Sequence, residues 1–174
     1  MSNGDFMAKI EKGVFDTGPF LHLHEADALA VSEIVLSKYV SQEVKSELEH
    51  YEIPLNILKR VLCPLLSLQY KNIAKILTEQ YEIELGEATA IALAQQEKIS
   101  LLLTDDLDAR ETAKKFNLEV HGTLGLVLRA FREKQMTQEE AIVIVKRIST
   151  DSSLFLTSDL VELVIKEIKL YKKH

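Results

Sequence analysis

The sequence predicts an α/β protein of three layers, with a mainly parallel central sheet between helices and additional helices towards the C-terminal end. Two observations lead there. Short apolar runs of strand character alternate with longer stretches whose apolar residues recur at helical spacing, the pattern of βαβ units with right-handed crossovers and a sheet covered on both faces. No internal repeat, low-complexity tract or long Pro/Gly/Ser linker interrupts the alternation, so residues 1–174 are expected to form a single domain.

The elements follow in order. Gly13, Val14 and Phe15 form a strand that runs into Asp16. Thr17, Gly18 and Pro19 then supply an N-cap and an early proline for a helix over 20–25, continued through 26–36. A second strand over 38–41 feeds a helix in QEVKSELEH (42–50), where Val44, Leu48 and Tyr51 recur on one side. Residues 58–66 (LKRVLCPLL) read as a strand broken at Pro64, 70–80 as an amphipathic helix, and 87–97 (EATAIALAQQE) as a helix buried on most of its surface. A fourth strand is expected over 100–104, a helix over 106–116 and a last strand over 118–121. Helices over 123–133, 138–148 and 158–171 close the chain.

Composition limits the function. The chain has 174 residues, 47% of them hydrophobic, which is enough for one sizeable core without staples. The single cysteine, Cys63, excludes an internal disulfide, and MSNGDFMAKIEK carries neither a leader pattern nor a membrane span, so a soluble, cytoplasmic protein is expected. A formal net charge of −6 argues against tight nonspecific phosphate binding by the bare protein. A nucleic-acid function would need a local basic strip or bound cations.

Acids stand where chemistry is expected. In an open α/β sheet ligands sit beyond the carboxyl ends of the strands, and Asp16 and the pair Asp105-Asp106 end the first and fourth expected strands. Glu47 lies three residues after Val44 and beside Leu48, on the apolar side of its helix; Glu49 points elsewhere. Glu87 shares a stripe with Ala90, Ile91 and Ala94. Unpaired carboxylates on buried faces are costly, and no nearby lysine or arginine obviously compensates them, whereas a divalent metal would. Hard oxygen ligands of this kind and no His/Cys set select Mg²⁺ or Mn²⁺ over zinc. Such ions would orient a water, lower its pKa and neutralise charge developing on a phosphodiester.

Each acid also has a structural reading. Asp16 with Thr17 could be only a turn and cap, and Glu87 could complement a helix N-terminus. Glu47 could pair with a distant lysine; Asp106 could cap its helix, with Asp108 in the first turn and Arg110 pairing back at i+4. His22 and His24 resemble a metal clip, but residues i and i+2 of a helix do not face each other. Gly122-Thr123-Leu124-Gly125 reads as a capped strand-to-helix turn rather than a phosphate loop, and KEIKLYKKH as a solvated helix end.

The set VFDTGPF (14–20), V-x-x-E-L (44–48), GEATAIALA (86–94), LLTDDLDAR (102–110) and HGTLGLVLRA (121–130) resembles the PIN-domain superfamily, closest to its prokaryotic branch related to the VapC-type toxins. The resemblance covers about residues 12–135 and leaves 136–174 as a helical extension. It implies an α/β/α nuclease fold in which acids bind Mg²⁺ or Mn²⁺. Carried over by position, the first-strand aspartate is Asp16, the helix glutamate Glu47 and the third acid Glu87, where many toxin relatives carry aspartate. The fourth falls in Asp105-Asp106, and the spacing of threonine, one residue, then acid favours Asp106. Asp16, Glu47, Glu87 and Asp106 are thus the expected catalytic residues, with Asp105 added to the expected metal ligands and Asp105 or Asp108 at the rim of their pocket.

Three function classes compete. The resemblance favours a metal-dependent endoribonuclease that hydrolyses RNA, with single-stranded DNA as a second substrate, in the setting of a toxin with an antitoxin protein as partner. A homo-oligomer is expected, and the apolar residues of 135–172 would cover the sheet edge or form a dimer interface. The second class is a catalytically inactive PIN-like scaffold or nucleic-acid-binding protein. An aspartate-based phosphotransfer enzyme or receiver fares worst. Such phosphatases need a second aspartate two residues after the first, where Gly18 stands, and a receiver needs its acid pair at the first strand.

Overall fold

A computed structural model describes residues 9–171; the first eight residues of the segment searched for a leader and the last three residues of the chain lie outside them. Four parallel strands, β1 (Ile10–Phe15), β2 (Val35–Tyr39), β3 (Leu101–Leu103) and β4 (Glu119–His121), form one sheet in the order β2-β1-β3-β4. The registers pair Val14 with Tyr39 on one side and with Leu102 on the other. Nine α-helices among the described residues connect and cover the sheet: α1 (Thr17–Glu25), α2 (Gln42–His50), α3 (Leu55–Leu58), α4 (Leu68–Tyr81), α5 (Leu85–Gln96), α6 (Leu107–Lys115), α7 (Thr123–Arg132), α8 (Gln138–Asp151) and α9 (Ser158–Leu170).

Strand length follows from burial. All three leucines of β3 are buried, as a strand covered on both faces requires. α5 is buried over almost its whole length and packs on β1 and β3, with α4 outside it. α1 and α7 make the opposite layer, and α8 and α9 pack on that layer and on each other. Ala141, Val145, Ile148, Val164 and Ile168 are the residues they bury, so the main contacts of the C-terminal helices are other helices rather than the sheet edge. Gly13 lets the layers close: a Cβ there would lie 2.9 Å from Leu103 Cδ2.

Two expected elements differ. The helix over 17–25 does not continue to 36; a left-handed Asp27 ends it, a 3-10 turn spans Leu29–Ile34, and β2 begins at Val35 rather than at 38. Val31, Ile34 and Val35 are buried in either conformation, so helical spacing alone could not locate the break. Residues 58–66 form no strand. The short α3 is followed by an irregular segment that touches the sheet only through a parallel bridge between Leu62 and Tyr39, the proline-containing run having no second neighbour to pair with. The strand over 100–104 is therefore the third, and the sheet has four strands.

This topology fixes where a site can form. The chain leaves β1 towards β2 on one side and later returns to place β3 on the other, so the strand order reverses between β1 and β3. The crevice at a reversal lies beyond the carboxyl ends of those two strands. Asp16 and Asp105-Asp106 stand there.

Candidate active-site cleft

A cleft of about 320 Å³ opens at this point, and its walls include Asp16, Glu47, Glu87, Asp105 and Asp106. The sequence-predicted acids thus come together from β1, α2, α5 and the end of β3, and Asp108 alone is not among the lining residues. Glu49, one turn position away from Glu47, is exposed.

Four of the acids are held in the same manner: one oxygen accepts a hydrogen bond from the fold. Asp16 Oδ2 accepts from Thr104 Oγ1 at 2.9 Å. Glu47 Oε2 accepts from the Thr17 hydroxyl. Glu87 Oε2 accepts from the Glu84 backbone N–H at 2.9 Å, and Asp106 Oδ1 from the Ala109 N–H at 2.8 Å. Asp106 is therefore the N-cap of α6, and Glu87 does serve the start of α5. Cap and site residue are not exclusive, because a carboxylate has two oxygens. Asp16 shows the converse: it occupies the N-cap position of α1 but makes no capping bond, its carboxylate being directed to Thr104 instead.

Asp105 differs. Its Oδ1 accepts from the Thr123 N–H at 2.7 Å, and its Oδ2 from Thr123 Oγ1 at 2.6 Å and from His22 Nδ1 at 2.7 Å. Three donors engage both oxygens, more than any other acid of the cleft is shown to accept. Gly122 is required beside it, since a Cβ there would lie 2.5 Å from Asp105 Oδ1. The His22 ring is thus a partner for Asp105 rather than half of a clip with His24, and the GTLG turn serves as a strand-to-helix turn whose first helical residue clamps Asp105. His22, Thr17, Thr104 and Thr123 were not among the expected site residues. Only the threonine before the acid pair carried a signal, through its spacing to Asp106.

The electrostatics separate the two groups further. Burial pushes the Asp16 carboxyl up to about 6, with the charges of Glu47 and Asp106 adding to the rise. Burial likewise raises Glu87 to about 7, with Asp106 and Asp16 contributing. Asp105 is buried as well, yet the bonds from His22 and Thr123 outweigh that burial and hold it below the usual carboxylate range. Among the described residues no lysine or arginine lines the cleft, and no ion pair joins Arg110 to Asp106.

A family model described as a PIN domain matches residues 12–170. The chain belongs to the PIN-domain family. The match runs from within β1 through the whole of α8 and α9. The curated proteins and the solved structures compared with the chain gave no match. PIN domains are generally nucleases that use divalent metal ions, so nuclease chemistry is the coarse activity that membership supports. No helix among the described residues is long and apolar enough to cross a membrane.

Whether this PIN cleft suits such an ion can be judged from its donors. Among the described residues no three His, Cys, Asp or Glu side chains stand together closely enough to hold an ion by themselves. Mg²⁺ does not require that, since it keeps several waters and takes one or two carboxylates together with substrate phosphates. Two desolvated carboxylates without a cation, Asp16 and Glu87, are the charge such an ion would complement. The donor set fits a hard divalent cation.

Proposed function

We propose that this PIN-domain protein is a metal-dependent endoribonuclease, with Asp16, Glu47, Glu87 and Asp106 as the acids that carry Mg²⁺ or Mn²⁺ and the reaction. One observation carries the reading: four carboxylates from four separate elements line one cleft without a lysine or arginine among its described walls, each oriented by a hydrogen bond from the fold. So much negative charge in one place is unfavourable unless a cation joins it.

The roles follow from the anchoring. Thr104 orients Asp16 and also accepts from the Asp106 N–H at 3.3 Å, so one hydroxyl sets the spacing between the acids of β1 and β3. Thr17, the residue after Asp16, orients Glu47. Gly86 keeps α5 close to Glu47: a Cβ there would meet Glu47 Oε1 at 2.7 Å. A divalent ion held here supplies Lewis acidity, lowering the pKa of a water and neutralising charge on the phosphodiester. The residues place that chemistry at the strand ends, and Asp105 with His22 and Thr123 keeps the end of β3 in position without joining it.

RNA as substrate, with single-stranded DNA as the second choice, and a toxin paired with an antitoxin protein are the biological setting we propose, in a cytoplasmic homo-oligomer. A short neighbouring reading frame encoding an antitoxin would support the pairing. A catalytically inactive scaffold is the second reading, favoured by the lack of three acids already placed around one ion. Cleavage of mixed RNA and single-stranded DNA in Mn²⁺, Mg²⁺ or chelator, by wild type and Asp16→Asn, decides between them. Metal-dependent products from wild type and none from Asp16→Asn are expected; no products in either metal would leave the scaffold.

A further inference from the structure

We propose that Phe155 is a stacking platform for an unpaired base of the substrate, at the mouth of the acid cleft, with Tyr51 as a second ring. The inference rests on the ribonuclease reading and adds the side chains that would hold a base of the substrate.

The segment between α8 and α9 bends at Ser152 and Ser153 and then runs without regular structure, and its burial alternates. Leu154 and Leu156 are half-buried and pack against the core, while Ser153 and Phe155 are exposed. Ser153 and Leu154 are walls of the acid cleft. Phe155 directly follows the cleft wall Leu154 in the chain and, like Ser153, is exposed.

The segment is also pinned. Ser153 N–H and Oγ both donate to Glu25 Oε2, at 2.7 and 2.8 Å, which ties it to the end of α1. Ser152 Oγ donates to the Ile148 carbonyl and accepts from the Leu154 N–H. With both neighbours fixed, the ring of Phe155 is held outward and is 86% exposed, the most exposed of the large apolar side chains described. Tyr51 reaches the same cleft from the end of α2, one turn after Glu47, and is 48% exposed.

The charge around the cleft explains why rings are needed. No lysine or arginine among its walls can pair with a phosphate backbone, and the whole chain is acidic, so binding cannot lean on counterion release. Stacking needs no charge, and every base offers a face. In a duplex that face is already covered; only a single strand presents it.

The chain has no tryptophan, so Phe155→Trp creates a lone reporter on the proposed platform. Its emission is followed on adding a ten-nucleotide uridylate or adenylate RNA, in the first seconds with Mn²⁺ and at equilibrium in chelator, with duplex RNA as control. Quenching by both single strands and not by the duplex is expected. Phe155→Ala and Phe155→Leu should each bind the single strands about tenfold more weakly by anisotropy, and Phe155→Tyr within about twofold of wild type, at unchanged melting temperature. Leucine binding as well as phenylalanine, or no quenching by either strand, overturns the proposal. Cleavage without quenching would sink this inference and leave the nuclease standing. Quenching without cleavage in any metal would do the reverse.

Discussion

Two groups of carboxylates share one cleft and have opposite physical states. Asp105 is a solved anion: three donors from α1 and α7 surround it and lower its pKa. Asp16 and Glu87, in the walls of the same cleft, are desolvated without such compensation, and their pKa values are raised to about 6 and about 7. A fold that can compensate Asp105 so fully can in principle compensate the others. That contrast is what motivates the proposal that Asp16, Glu47, Glu87 and Asp106 take an external cation while Asp105 serves the fold.

The comparison breaks most visibly in activity. Asp16→Asn removes one charge at constant shape, and metal-dependent cleavage should fall by at least about 100-fold. Without metal its melting temperature should hold or rise, because repulsion from Glu47 and Asp106 is relieved. An Asp16→Asn protein that melts well below wild type in chelator would place Asp16 with Asp105 instead.

Next in size is Asp105→Ala, which strands His22 and both donors of Thr123. It should cost about 3 kcal/mol of stability with or without metal. A urea titration of both states measures it; a loss confined to metal-loaded protein would make Asp105 a ligand after all.

The dependence on pH sharpens the contrast. Asp16 and Glu87 bind protons more tightly folded than unfolded, their ordinary values being 3.8 and 4.5. The stability they contribute is therefore complete below about pH 4 and is lost as pH rises through about 6 and about 7. Asp105 runs the other way, contributing above its ordinary 3.8 and losing that contribution as pH falls through its lower folded value. In chelator, the double variant Asp16→Asn/Glu87→Gln should thus gain on wild type between pH 4 and 8, and divalent metal should restore wild type most at the alkaline end. Equal slopes for the two proteins would contradict the raised values.

The smallest effect expected is that of Asp106→Asn on the metal-free protein. Asparagine caps a helix about as well as aspartate, so melting in chelator should change by no more than about 0.5 kcal/mol. Stabilisation by added Mn²⁺ should nevertheless drop. Both oxygens of one side chain are then read separately, the cap through stability and the free oxygen through metal. Unchanged metal stabilisation would reduce Asp106 to a cap.

Local pattern carried most of the fold. The triple leucine of β3, the small apolar residues of α5 and the capped starts of α6 and α8 are written in periodicity and in residue choice, and they form where the sequence places them. Pattern failed at 26–36 and 58–66, where short apolar stretches satisfy helix, 3-10 turn and strand alike and only the neighbours available in the sheet decide. The site divides along the same line. That Asp16, Glu47, Glu87 and Asp106 would meet in one cleft could be expected from the sequence, because strand ends and apolar helix faces are local properties. The separate fate of Asp105 could not, because its partners, His22 and Thr123, stand 83 and 18 positions away in the chain. Two adjacent aspartates look identical in a sequence. The tertiary fold distinguishes them, by bringing α1 and α7 against Asp105 while Asp106 caps α6.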